Sequence, residues 1–276
     1  MKAPVDVTGT FLDLVVGRVS PALRARAAWR LAARAGDLAP AVVEQLVRPG
    51  DLCLDIGASW GLFTHRLAQV AGPGGGVHAF EPNPVNHRSL DRIRAGRDGV
   101  RVHHCALSGA DGTAELRMPR RRGASVHAMG SISVPAARAG LFVESVTVET
   151  RRLDDVLGEQ VAAVRFVKCD VEGHEQALLD GAPRLLAEAR PAVLIEIEQR
   201  HRDAPVAETF DRFAAAGYEG YALGAGRLVP LAHFDVERDQ LALLTEGELQ
   251  PAPPPGYVND FLFVQPGTEL GGLAGR

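Results

Sequence analysis

The chain is nearly without lysine: Lys2 and Lys168 are the only two, and arginine supplies the rest of its positive side chains. A formal net charge of −4 gives no strongly basic face, and so none of the electrostatic footprint expected of a nucleic-acid partner. Cysteine is scarce as well. Cys53, Cys105 and Cys169 make an odd count with no Cys-x-x-Cys spacing, which argues against both a disulfide framework and a zinc site. Each lies in or at the end of an apolar, strand-like run, and reads as a small buried hydrophobe in a reducing compartment. No run approaches the ~18–20 apolar residues that cross a bilayer. The N-terminal "MKAPVDVTGTFLDLVV" has an acid inside a short apolar patch and no cleavage-site pattern. No membrane partner is expected, and the location expected is cytoplasmic.

What is present is an ordinary, well-cored composition, with 46% hydrophobic and 23% charged residues over 276 positions. That length suits one large domain with additions. Residues 10–48 read as amphipathic helices, with Pro21 after Ser20 as a start signal and Pro49-Gly50 as a stop, so 1–49 is expected to form an N-terminal helical extension or cap. From residue 51 the pattern alternates. Apolar strands are expected at 51–56, 76–80, 100–105, 163–169 and 192–197, and helices near 61–71, 84–95, 175–188 and 206–216. Such alternation implies an α/β fold, a mostly parallel sheet with helices on both faces. "GTAELRM" (112–118) and "ESVTVETRRL" (144–153) look like period-two strands bracketing a loop that holds Arg120, Arg121 and Arg122. "GYEGYALG" and "NDFLFVQ" read as a late antiparallel pair closing the domain, which is expected to run over 50–265. Residues 266–276 read as a flexible tail, and there is no internal repeat.

The most informative stretch is "LCLDIGASWGLFTHRLAQVAG", residues 52–72. In an open α/β sheet, ligands lie beyond the carboxyl ends of the strands. The loop from Gly57 to Gly61 therefore forms the floor of such a crevice, and the following helix aims its N-terminus at the ligand. Twenty residues after Gly61 the next strand ends in "HAFEPNP", which puts Glu81 where an acid binds ribose hydroxyls. Both NAD and S-adenosylmethionine carry that ribose, so Glu81 does not separate them. The glycines do: a dinucleotide fingerprint needs glycine at its first, third and sixth positions, and from Gly57 this chain offers Gly57, Ser59 and Leu62. Close approach to a pyrophosphate is not provided for.

Asp55-Ile56-Gly57 followed by Gly61 resembles the first motif of class I methyltransferases. "VRFVKCDVEGHEQALLDGAPRLL" (164–186) and "RPAVLIEIE" (190–198) extend the likeness, together with "LDIGASWG", "VHAFEPNP", "CALSGADGTAEL", "VETRRLDDVL" and "YVNDFLFV". Over about residues 50–265 the chain resembles the FkbM family of S-adenosylmethionine-dependent methyltransferases. The resemblance implies a Rossmann-like sheet of the class I methyltransferase type, S-adenosylmethionine as cofactor, and methyl transfer to a hydroxyl of a sugar, polyketide or other secondary metabolite. It implies that Asp55, Gly57, Ala58, Ser59 and Gly61 surround the methionine part, that Glu81 holds the ribose and that Pro82 and Asn83 shape the adenine side. By the same likeness Cys105, Ala106 and Leu107 flank the adenine, while Asp170 and Glu172 sit near the sulfonium. Ser59 departs from the family habit of Asn at its position, and His174 falls at a variable one.

Methyl transfer to a hydroxyl needs an acceptor held in line and a destination for its proton, either a base or a metal. The candidates for that work are Asp170, Glu172, His174 and Glu196. His201 is a weaker candidate, since a lone histidine in an arginine-bearing loop is expected to be exposed. Glu196 and Glu198 could raise one another's pKa, bind a divalent cation together with Asp170, or simply pair with arginines. Lys168 is expected to pair with a carboxylate deeper in the sheet. The three arginines form either a solvated loop or a cover that favours an anionic or carrier-linked acceptor. The Asn/Asp-Pro-Pro-Tyr signature of amino-directed nucleic-acid methyltransferases is absent. A nicotinamide-dependent oxidoreductase and a non-catalytic cofactor-binding module are the competing readings.

Overall fold

Alternation along each strand sorts the apolar side chains onto two faces, and both faces are covered. Leu54 and Ile56, Val167 and Cys169, and Phe261 and Phe263 face one core, while Cys53, Phe166, Leu262 and Val264 face the other. This protein is described by a computed structural model over residues 20–121, 124–125, 130–133, 142–224, 226–245 and 254–273, with side chains for all but 119–121, 124–125 and 142–143. The chain begins with α1 (Pro21–Ala35), α2 (Leu38–Leu46), β1 (Leu52–Ile56), α3 (Leu62–Ala71), β2 (Gly76–Phe80), α4 (Pro84–Arg94) and β3 (Val100–His103). It continues through β4 (Ala106–Leu107), β5 (Gly112–Arg121), β6 (Ala124–Ser125), β7 (Phe142–Arg151), α5 (Leu153–Leu157), β8 (Val164–Cys169) and α6 (Glu175–Asp180). The rest is β9 (Ala192–Glu196), α7 (Ala207–Ala215), β10 (Glu219–Gly224), β11 (Arg227–Pro230), α8 (Val236–Asp239) and β12 (Asp260–Val264).

The large sheet has the order β11-β10-β12-β9-β8-β1-β2-β3. The run from β9 through β8, β1 and β2 to β3 is parallel, whereas β12, β10 and β11 join antiparallel. This is the mostly parallel sheet with a late antiparallel addition that the alternation implied. A second sheet, β4-β7-β5-β6, holds the two period-two strands as an antiparallel pair. Arg120 and Arg121 fall at the end of β5, and Arg122 lies outside the described residues, so the expectation of an arginine cover does too.

Several expected boundaries move, each for a local reason. The strand expected over 100–105 stops at His103, because Ala106 and Leu107 pair with β7 and leave the large sheet. The helix expected over 175–188 ends at Asp180: Gly181 is followed by Pro183, which has no N–H to give, and a π turn covers Leu185–Ala189. The four-residue strand β11 and the short helices α5 and α8 are too brief to show a period. The flexible tail expected from 266 is not seen over 270–273, where Leu270 and Leu273 are buried in the core that holds Trp29, Val42 and Val43. Helix α2 thus packs against β9 and that C-terminal segment, while α1 rests on α2, α3 and α4. Cys53, Cys105 and Cys169 are buried and free, as their apolar surroundings implied. Among the described residues, no helix is long and apolar enough to cross a membrane.

One glycine holds the sheet edge together. Gly57 has φ +77°, and a Cβ there would stand 1.7 Å from the carbonyl oxygen of Asp170. The glycine of the first loop is demanded by the neighbouring strand's backbone, in a conformation that L side chains resist. Gly57→Ala is expected to cost at least about 3 kcal/mol, because the obstacle is backbone rather than a side chain that can turn away. Urea unfolding of the variant beside the parent measures this.

Candidate active site

The carboxyl ends of four parallel strands are tied to one another. Asp170 N donates to Ile56 O at 2.8 Å, Gly57 N and Ala58 N donate to Phe80 O at 2.9 Å, and Glu81 N donates to His103 O at 3.0 Å. The loops leaving β8, β1, β2 and β3 thereby close around a cavity of about 260 Å³. Asp55, Gly57, Ala58, Ser59, Glu81, Pro82, Asn83, Cys105, Ala106, Leu107 and Asp170 all line it, as do Glu172 and His174. Gly61 does not. A Cβ on Gly61 would meet Ile93 Cδ1 at 2.4 Å and Leu90 Cδ2 at 3.0 Å, so this glycine lets α4 pack beneath the loop. Glu196 and His201 also lie outside the lining.

Each predicted residue has a definite set of partners. Asp55 is buried and accepts from Thr64 Oγ1 at 2.5 Å, which anchors the first turn of α3 to the tip of β1. Glu81 is 5% exposed and accepts from Ser59 N at 2.6 Å and from Asn83 N at 2.7 Å. Asn83 caps α4 by accepting from Val85 N. Ser59 has φ +49°, a left-handed conformation that asparagine tolerates better than serine, which is a backbone reason for the family's asparagine at this position. The loop amides of Gly57, Ala58, Ser59 and Gly61 all point at the protein's own oxygens. None of these four is left to cradle a pyrophosphate.

The charged motif after β8 resolves into three separate pairings. Lys168 is buried, lines the cavity and reaches Asp260 at 3.2 Å at the start of β12, not a carboxylate deeper in the sheet as expected. Glu172 holds His201 Nδ1 at 2.7 Å, and Glu175 accepts from Gly173 N at 2.8 Å and faces Arg202 at 3.5 Å. His201 is therefore 6% exposed, not the solvated side chain its arginine-bearing loop suggested. A long-range contact with Glu172 decides this, and no local pattern could have shown it. Both nitrogens of His174 are engaged, Nδ1 with Ser133 Oγ at 2.7 Å and Nε2 with Ser108 Oγ at 3.0 Å. Ser131 Oγ also donates to Glu172 O. These bonds fasten residues 131–133 over the site, where Ile132 joins Leu116 of β5, Trp60 and Phe63 in the wall. Those four went unpredicted, and only the apolar alternation around Leu116 offered any hint.

Burial dominates the electrostatics. It pushes the carboxyl of Glu81 up to about 7, although the amides of Asn83 and Ser59 oppose it, and that of Asp55 up to about 6 against the pull of Thr64 and Lys168. It lifts Asp170 to about 7, with Lys168 opposing and Glu172 adding to the rise. The Oδ1 atom of Asp170 is buried without a hydrogen-bond partner among the described residues. Glu196 is driven well above the carboxylate range by burial and then by Asp170 and Glu198. In Glu198 the burial effect is outweighed by His201 and Arg200, and its pKa is lowered. The expected mutual elevation of Glu196 and Glu198 thus holds for Glu196 alone. Glu172, Glu198 and His201 form the one trio among the described residues whose potential metal-ligand atoms lie within 4.8 Å of one another. Burial lowers the pKa of His201, but Glu172 and Glu198 raise it overall, the direction of an imidazolium held by carboxylates.

These shifts fix a sign for the pH dependence of stability. A buried carboxyl with a raised pKa binds protons more readily folded than unfolded, so stability falls as pH rises toward the folded value. Glu81, Asp55 and Asp170 all act this way. His65 and His78, lowered to about 4 chiefly by burial, act oppositely, but only up to their ordinary value of 6.5. The melting temperature of the ligand-free protein is therefore expected to fall between about pH 6.5 and pH 8. Glu81→Gln should flatten that slope in thermal melts at constant ionic strength.

The chain resembles known proteins in sequence and in backbone. The 31-O-demethyl-FK506 methyltransferase FkbM of Streptomyces tacrolimicus is 31% identical over 159 residues, 49% of this chain and 60% of that protein's length. The crystal structure of methyltransferase FkbM from Methylobacillus flagellatus KT aligns over 88% of this chain and 53% of that one, with TM-score 0.46 and 17% identity. Aeropyrum pernix fibrillarin, solved with natively bound S-adenosyl-L-methionine, aligns over 83% and 72% with TM-score 0.43 and 15% identity. Residues 50–219, more than half of the chain, match the family described as the methyltransferase FkbM domain, and the chain belongs to that family.

Proposed function

We propose that this protein transfers a methyl group from S-adenosylmethionine to a hydroxyl of a small-molecule acceptor. The observation that carries the reading is the position of Asp170, which lines the same cavity as Glu81 and holds a buried carboxylate oxygen with no hydrogen-bond partner among the described residues. The residues present fit the cofactor. Each oxygen of Glu81 takes one backbone amide and the Asn86 side chain bonds the carboxylate as well, which leaves acceptor capacity for a ribose hydroxyl, and Phe80, Leu107, Leu116 and Ile132 give the cavity apolar wall for a nucleobase. Pro82 and Asn83 border the Glu81 side, with Cys105 and Ala106 next to Leu107. Asp55, Gly57, Ala58 and Ser59 line the remaining wall toward Lys168 and Asp170.

The cofactor supplies an activated methyl on a sulfonium when bound. What the chain adds is orientation and a place for the acceptor's proton. Of the four base candidates, Asp170 is the best disposed. His174 has both nitrogens committed to serines, Glu172 is paired with His201, and Glu196 lies outside the cavity beside Asn259, which donates to it at 2.9 Å. A carboxyl held near pH 7 by burial matches a general base at neutral pH. The name of the Streptomyces tacrolimicus relative describes methylation at oxygen, which supports a hydroxyl acceptor here. The same reading makes the protein cytoplasmic, acting without a nucleic-acid or membrane partner.

Thermal shift is expected to show stabilisation by S-adenosylhomocysteine and none by NAD(H). The reverse pattern would replace this reading with the oxidoreductase. Binding without any release of S-adenosylhomocysteine across a panel of hydroxylated acceptors would leave a non-catalytic module. Asp170→Asn should retain the S-adenosylhomocysteine-induced shift while kcat falls by about 10²–10⁴. In the parent, kcat/KM should rise with pH through about 7 as Asp170 ionises, and the variant should lose that limb.

A further inference from the structure

A second cleft of about 340 Å³ lies away from the catalytic cavity, in the groove where α1 rests on α3. Trp29 of α1 packs edge-on against Phe63 of α3, their ring centroids 5.4 Å apart, and this contact joins the two helices. Arg26 and Arg30 of α1 and Arg66 of α3 line the groove, with Glu44 of α2 as its one acid. Glu44 is already taken, because Arg66 donates to it from both Nε and Nη2. Arg26 and Arg30 make no ion pair and no hydrogen bond among the described residues.

Beneath these guanidiniums sits His65. It is 1% exposed, it lines the groove, and neither ring nitrogen has a hydrogen-bond partner among the described residues. Leaving a buried polar group unsatisfied costs about 1–3 kcal/mol, so such a group in a native fold calls for an explanation. Its electrostatic surroundings are wholly cationic: burial first, then Arg97, Arg26 and Arg66, lower its pKa to about 4. A hydrophobic ligand would leave the imidazole and two guanidiniums unpaired, and a cation would be repelled. An acceptor-rich anion would satisfy all three.

We propose that this groove binds the phosphoryl group of a small phosphorylated molecule, held by Arg26 and Arg30 from α1 and by the imidazole of His65 from α3. Guanidiniums suit this ligand because each offers several N–H donors in a planar fork to the oxygens of one tetrahedral anion. The neutral imidazole gives one further N–H donor. The bound anion bridges α1 to α3. The same helix carries Arg24, which lies 4.3 Å over the ring of Trp60, a residue of the catalytic cavity wall. The groove and the cavity are thus joined through α1, yet the inference does not depend on what the cavity binds.

Inorganic phosphate is the probe. Titrated against the full chain at constant ionic strength, phosphate is expected to raise the melting temperature where chloride does not, and to shift the His65 imidazole resonances in NMR. Arg26→Gln and Arg30→Gln remove charge from exposed side chains while keeping most of each stem. Each should weaken phosphate binding at least about tenfold, the loss of one charge-assisted contact. His65→Gln should do so as well, and its folding can be checked by an unchanged far-UV circular dichroism spectrum. Equal responses to phosphate and chloride, or an undiminished phosphate response in the double arginine variant, would overturn the assignment.

Discussion

The carbonyl oxygen of Asp170 occupies the space that a side chain on residue 57 would need. Much else in the molecule follows from that approach. With no Cβ between them, the tips of β1 and β8 close to hydrogen-bond distance, and Asp170 N reaches Ile56 O. The next amides, those of Gly57 and Ala58, then fall on Phe80 O and draw the tip of β2 into the same cluster. Glu81 follows directly, and its carboxylate turns back to accept from Ser59 N. One backbone contact therefore sets the relation between Glu81 and Asp170, the two carboxylates on which the proposed chemistry rests.

Burying so many acids at one sheet edge has a cost, and the structure shows how it is offset. Lys168 is the sole lysine among the described residues, and it sits where Asp260, Asp170 and Glu196 all favour its charge against the burial that opposes it. Around the rim, Glu172 is matched by His201, Glu198 by Arg200 and Glu175 by Arg202. Asp170 is left with an oxygen that no described residue satisfies. A buried polar group without a partner is expected where a ligand completes the set, and His65 in the α1–α3 groove is another such group lining a cleft.

Legibility along the sequence followed the range of the interactions involved. The strands of the parallel sheet could be read because a buried strand is a short apolar run, and that property belongs to the strand itself. Glu81 could be read because the length of one helix and one strand fixes its separation from Gly61. The need for glycine at 57 and 61 was also visible, but the close approach of Asp170 and Ile93 to these positions was not. His201 and Lys168 were misplaced for the same reason. Their partners, Glu172 and Asp260, lie on other elements, and no spacing rule connects them.

By itself the sequence determined the α/β alternation, the loop after β1 and its paired acid, and the charged motif that ends β8. Each of these is written in neighbouring residues, through apolar periodicity or a fixed helix-plus-strand length. Only the tertiary structure decided which carboxylate stays unpaired, which histidines are buried, and that residues 131–133 close over the cavity. Burial and charge pairing depend on what other strands and loops bring alongside, and that proximity exists only once the sheet has assembled.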